Sequence, residues 1–159
     1  MRAVFSACGT YRYRLERDAP DETSGGPVAF VMLNPSTADA DRDDPTIRRV
    51  RILARGFGFG PIVVANLYAL RASDPRALAA HPDPVGPQNA AHLAALAREG
   101  RDVVCAWGVH ADPARAAATI ALLGRAGARL WHLGLTKAGA PRHPLYVPRD
   151  VPLTPLSPA

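Results

Sequence analysis

Apolar and polar positions follow two rhythms along this chain. The run "PVAFVML" does not alternate, and it stops at Asn34-Pro35. The run "PIVVANL" behaves the same way and meets Asn66 at its end. Uninterrupted apolar runs of this length predict central strands covered on both faces. In contrast, "TYRYRLER" (Thr10 to Arg17) alternates, with Tyr11, Tyr13 and Leu15 pointing one way and Arg12, Arg14 and Glu16 the other. That pattern predicts a half-buried strand. "DVVCAWG" and "ARLWHLG" predict two more strands, and "DAPDETSGG" a loop.

Between the strands the apolar period lengthens. Asp44-Pro45 is an N-cap followed by proline at the first helical position. Ile47, Val50, Leu53 and Ala54 then form an apolar stripe, and Gly56 closes the helix. Asp74-Pro75 and Asp112-Pro113 repeat the signature. The first opens a short helix. The second opens a longer one through Ala126, with Ile120, Leu122 and Leu123 as candidate core residues. A further helix follows Gly86-Pro87 and ends near Gly100. The order is strand, strand, helix, strand, helices, strand, helix, strand. It predicts a three-layer α/β sandwich with a mostly parallel central sheet. Residues 1–147 form a single domain in this reading. Residues 148–159 form a proline-rich tail, extended and mobile at its end.

Composition adds bounds. With 159 residues and 48% apolar content, one domain with a real core is expected. No apolar run approaches the ~20 residues needed to span a bilayer. The start, "MRAVFSACGTYRYR", has no signal-like apolar region, so a cytoplasmic location and no membrane partner are expected. Cys8 and Cys105 do not make a disulfide framework and are read as reduced and buried. The formal charge is +5, with Lys137 the only lysine. Arginine forks suit phosphate, although a GC-rich genome favours arginine codons equally well. The charge permits nucleic-acid binding without establishing it.

Ligands of open parallel sheets bind beyond the carboxyl ends of the strands. Asn34, Pro35, Ser36 and Thr37 follow the first central strand, and Asn66, Tyr68 and Arg71 the second. Trp107, Gly108 and His110 follow the third, and Thr136, Lys137, Arg142 and His143 the last. Loops are polar in any case, but four such strand ends converging on one sheet edge predict a site. Asn34 can orient a water, with Pro35 stiffening its turn. Asn66 offers a donor and an acceptor, which matches a nucleobase or amide edge. Trp107 or Tyr68 can stack on a flat ring. His143 can donate to a developing anion, and Arg48, Arg49 and Arg71 can hold phosphates. The set favours a planar, heterocyclic, phosphate-bearing ligand.

Asp39, Asp41, Asp43 and Asp44 could bind a divalent metal, but they lack calcium-loop spacing. The alternatives are that Asp44 caps the helix while the others are solvated, or that Asp43 or Asp39 serves as a general base beside the Asn34 water. His81, His92, His110 and His132 lack metal-ligand spacing. His81 and His92 are read as surface residues and His132 as part of a strand. No phosphate-cradling loop or nucleophile elbow is present, and no cofactor is expected.

The stretches "YRYRLER", "VMLNPSTADADRDDPTIRRV", "VANLYALRASDP", "AWG" and "LGLTKAGAPRHPLYV" resemble family 1643 of the bacterial domains of unknown function. The likeness runs from Cys8 to Val147. A more distant resemblance is to the uracil-DNA glycosylase superfamily. There a strand ends in an Asn-Pro motif, a later strand can end in a base-reading Asn, and a His-Pro motif follows. "MLNPS", "ANL" and "RHPLYVP" match these in order. Met32 stands in the place of that superfamily's Gly, and Ser36 replaces the following Gly. Leu-Tyr follows His143-Pro144 instead of a small polar pair. This resemblance implies an N-glycosylase-like enzyme acting on a flipped or free modified base in DNA or a nucleotide. Asn34 would place the water, Asn66 pair with the base, and His143 stabilise the leaving base. Arg48, Arg49 and Arg71 would grip the backbone. Two other readings stand beside it: a non-catalytic recognition module, and a metal-dependent hydrolase using the aspartate loop.

Overall fold

The computed structural model describes residues 2–20, 25–99 and 101–157. The elements in chain order are β1 (Arg2–Phe5), β2 (Arg12–Arg17), β3 (Val28–Met32), α1 (Pro45–Gly56), β4 (Ile62–Asn66), α2 (Arg76–Ala80), α3 (Asn89–Arg98), β5 (Asp102–Cys105), α4 (Pro113–Arg125), β6 (Arg129–His132), a 3-10 turn (Pro144–Tyr146) and β7 (Thr154–Pro155). All predicted strands and helices are present. The expected loop over residues 18–26 falls partly on residues 21–24, and the expected helix end on Gly100; both lie outside the described residues.

The fold is α/β, and its seven strands form one sheet in the order β1-β2-β4-β3-β5-β6-β7. It is a mixed sheet, which corrects the expectation of a mostly parallel one. β3 runs parallel to β4 and β5, and β5 to β6. β1, β2 and β7 pair antiparallel. The physical reason is connection length. A parallel pair needs a crossover of a dozen or more residues. The link from β1 to β2 is too short for one, so β2 folds back on β1 as a hairpin. Within the proline-rich tail, expected to be extended with a mobile end, Thr154 and Pro155 are extended and pair with His132 and Trp131 at the sheet's edge, where a missing N–H is tolerated. Its last two residues lie outside the described ones.

β3 shows why the non-alternating runs are buried. Val28, Phe30 and Met32 pack with Ile47, Val50 and Leu53 of α1. Ala29, Val31 and Leu33 pack with Leu93 and Leu96 of α3 and Leu123 of α4. Asp44 caps α1 by accepting from the Ile47 N–H at 2.9 Å. Asp112 caps α4 in the same way, through the Arg115 N–H. On α4 only Leu123 of the three candidate core residues is buried; Ile120 and Leu122 are half-buried.

The alternation expected of β2 fails. The pairing of β1 with β2 shifts between Val4 and Phe5, skipping Tyr13. Such a bulge re-aims the side chains beyond it. Leu15 joins the α1-side cluster, whereas Tyr13 stacks on His92 of α3 with centroids 4.9 Å apart. Arg12, expected on an exposed face, is only 2% exposed. His92, expected at the surface, is half-buried.

The parallel strands lie in the order β4-β3-β5-β6. From β3 the chain passes through α1 to β4 on one side. From β4 it crosses back through α2 and α3 to β5 on the other. The carboxyl ends of β3 and β5 therefore flank the point where the connections diverge, the place where such sheets bind ligands.

Candidate functional site

A cavity of about 520 Å³ opens at this point, within the range of small-molecule sites. Asn34 and Ser36 reach it from the end of β3, Asn66 from β4, Trp107 and His110 from β5, and Thr136, Arg142 and His143 from β6. All four strand ends therefore contribute. Arg12, Asp44, Thr46, Ser73 and Tyr146 also line it; of these five, the sequence pattern marks only Asp44, as a cap or possible metal ligand.

Asn66 is the last residue of β4 and is 1% exposed. Its backbone carbonyl accepts from Asn89 Nδ2 at 2.9 Å. Its side-chain Nδ2 and Oδ1 are both buried with no partner among the described residues. A buried amide left so costs about 1–3 kcal/mol per unmet group. The position makes sense when a ligand completes it.

Asn34 has spent its donor. Nδ2 donates to Ala72 O at 2.7 Å and to Pro35 O at 3.1 Å, and the Ala72 N–H donates back to Pro35 O. These bonds tie the loop after β3 to the loop after β4. Oδ1 is left as the group Asn34 can offer, and it accepts. Pro35 thus acts through its carbonyl and does not line the cavity.

His143 caps the 3-10 turn, its Nδ1 accepting from the Leu145 N–H at 3.2 Å. The other nitrogen, Nε2, therefore carries the proton of the neutral ring. Burial lowers the His143 pKa from its ordinary value, with the Asp44 charge opposing. The ring is neutral at pH 7, a donor at Nε2. Gly108 makes room for it. Its φ is +80°, and an added Cβ would sit 3.3 Å from His143 Cβ. Gly108→Ala is expected to cost about 1–2 kcal/mol for the left-handed backbone alone and to displace His143. Thermal melts and the His143 imidazole NMR signals of the variant test this; a melt and signals equal to wild type would refute it.

Asp44 holds both oxygens in place, Oδ1 on the Ile47 N–H and Oδ2 on the Ala38 N–H at 3.3 Å. Arg12 donates from Nη1 to Ala38 O at 2.9 Å. Burial lowers the Arg12 pKa to about 10, against the pull of Asp44, so it remains a cation. Trp107, 2% exposed, supplies a flat apolar wall.

Other candidates lie elsewhere. Tyr68 packs in the core cluster on the α3 and α4 side, its hydroxyl accepting from the Asp112 N–H. Its hydroxyl is held at the start of α4, and it is absent from the cavity lining. Arg71 lies over the Phe5 ring at 4.8 Å and donates to Gly9 O. Arg48 donates to Asp43 O and Arg49 to Val147 O, each at 3.1 Å. Lys137 sits in the turn after β6, outside the lining. Asp43 is held by Arg17 at 2.6 Å and Arg51 at 2.8 Å. Asp39 accepts from the Asp41 and Arg42 N–H groups. Neither of these aspartates lines the cavity. Among the described residues, no group of three or more His, Cys, Asp or Glu side chains is placed to hold a metal, and no helix is long and apolar enough to cross a membrane.

The cysteines separate. Cys105 is buried, and burial pushes its thiol up to about 12. Cys8 is exposed, contrary to expectation; hydrogen bonding with Ser6 and Thr10 lowers its thiol to about 7. Iodoacetamide at pH 7.5 is expected to label Cys8 in the native protein and to reach Cys105 only after unfolding. Peptide mass mapping tests this, and native labelling of Cys105 would contradict it.

Of the residues that line the cavity, Arg12 was hidden because an arginine in an alternating strand looks like a solvent face. Asp44 shows in the sequence as a cap and as one of four possible metal ligands, with nothing to place it in this cavity. Residues 12–145 match the model of a family described as "Protein of unknown function (DUF1643)". No curated protein and no solved structure matches the chain.

Proposed function

The chain belongs to the DUF1643 family, whose description names no activity, and from the site alone we propose that it takes a flipped or free nucleobase into the cavity and hydrolyses its N-glycosidic bond. On this reading the architecture is a three-layer arrangement akin to that of the uracil-DNA glycosylase superfamily, with DNA or a nucleotide as substrate. The observation that carries it is Asn66: a rigid strand-end amide, buried, with donor and acceptor both unmatched inside a cavity of ligand size. An amide in that state complements the paired acceptor and donor of a base edge. Trp107 offers the flat wall such a ring needs.

The chemistry follows from the other two groups. Asn34 Oδ1 accepts from a water and orients it toward the sugar carbon. The water oxygen bonds to that carbon as the N-glycosidic bond breaks, and the base leaves with the bonding pair. His143 Nε2–H donates to the charge gathering on the base. The attacking water loses its proton to bulk solvent or to a neighbouring carboxylate.

Oligonucleotides and nucleosides carrying uracil, hypoxanthine or hydroxymethylated bases, incubated with and without chelator, test the reading. Base release that resists chelator and is lost in Asn34→Ala and His143→Ala supports it. A second reading, recognition without cleavage, is favoured by one feature: Asp43 and Asp39 lie outside the cavity, and Asp44 already caps two N–H groups. Binding that Asn66→Ala weakens, with no release from any substrate, would select that reading.

A further inference from the structure

The floor of the cavity holds a second buried donor that its own fold leaves unmatched. Arg12 lines the cavity at 2% exposure, and its Nε is buried with no partner among the described residues. Among these residues only Nη1 is committed, to Ala38 O. The guanidinium is a rigid planar fork, so its Nε and Nη2 hydrogens point in parallel. Such a fork matches two neighbouring acceptors: a carboxylate, a phosphate, or N7 and O6 of a purine.

We propose that Arg12 and Asn66 together read one continuous edge of a 6-oxopurine, with N7 and O6 on the Arg12 fork and O6 and N1–H on the Asn66 amide. The inference rests on the nucleobase reading and narrows it. Asn66 chooses among these acceptor pairs. Asn66 Oδ1 needs a donor, and an ionised carboxylate or phosphate has none. The ligand must therefore present acceptor, acceptor, donor in order. A 6-oxopurine does so through N7, O6 and N1–H. A 2,4-dioxopyrimidine presents acceptor, donor, acceptor, with no two acceptors side by side. Adenine sets its N6 amino donor against the arginine.

Calorimetric titration of the whole protein with free hypoxanthine, 7-deazahypoxanthine, adenine and uracil tests this. Hypoxanthine is expected to bind, and 7-deazahypoxanthine, which lacks only the N7 acceptor, to bind ~10- to 100-fold more weakly, as for loss of one good bidentate contact. Adenine and uracil should fall at least as far. Arg12→Lys, which keeps the charge without the fork, should weaken hypoxanthine by a similar factor and remove the penalty for 7-deazahypoxanthine. Should that variant fail to fold, the comparison of the two purines on the wild-type protein decides alone. Equal binding of hypoxanthine and 7-deazahypoxanthine, or tighter binding of uracil, overturns the purine assignment and leaves the nucleobase reading standing. No binding of any base, together with no release from any oligonucleotide, overturns both.

Discussion

His143→Ala is expected to lower the rate of base release ~10²–10³-fold, the usual cost of removing one donor to a developing anion, while substrate binding changes little. The split follows from the role proposed for the side chain. On that reading Nε2–H faces a neutral base before the bond breaks, where its hydrogen bond is weak. The bond strengthens as the glycosidic electrons move onto the ring. A group that acts chiefly in the transition state lowers kcat more than it raises KM. Single-turnover kinetics alongside equilibrium binding separate the two. Loss of binding with normal single-turnover chemistry would remove His143 from this role. The pH profile gives an independent check. Burial lowers the His143 pKa from its ordinary 6.5. Protonation would also place a second hydrogen on Nδ1, which already faces the Leu145 N–H. The acid limb contributed by this residue therefore lies below pH 6.5. A limb above that value belongs to another group.

Asp43→Ala is expected to lose about 3 kcal/mol of stability. Breaking a buried ion pair typically costs ~3–5 kcal/mol, because the surviving charge is left without its partner. Here the survivor is Arg17, with 1% of its side chain exposed; Asp43 keeps 19%, which sets the estimate at the low end of that range. For a chain of this size the melting temperature should fall by about 6–12 °C. Burial pushes the Asp43 carboxyl up, but the bonds from Arg17 and Arg51 outweigh it and hold the group below its usual 3.8. The sign follows. The folded state binds the proton less readily than the unfolded state, so the stabilisation is complete above about pH 3.8. It is lost as pH falls through the folded value, and wild type and variant should converge in acid. Calorimetry from pH 7 down to pH 3 measures this directly. A variant that melts like wild type but has lost turnover would return Asp43 to the chemistry and take it out of the scaffold.

Much of this protein is legible without coordinates. β3 and β4 are visible because strands covered on both faces cannot alternate, and burial on two sides leaves an unbroken apolar run. α1 and α4 are visible because Asp-Pro satisfies the first free N–H groups and presets the first turn. The convergence of Asn34, Asn66, Trp107 and His143 follows from strand order alone, since parallel strands must end on the same edge.

What the tertiary structure decided are the choices that depend on distant partners. The sheet is mixed because short links deny β1 and β2 a crossover, and because a two-residue piece of the tail finds the free edge of β6. Arg12 enters the cavity because one skipped residue in the pairing with β1 turns it inward. A register shift of this kind leaves no trace in composition. Asp43 turns toward Arg17, and Tyr68 toward the opposite core cluster. In each case a local pattern records that a residue is polar or aromatic. Which neighbour it meets is settled by chain segments tens of residues away.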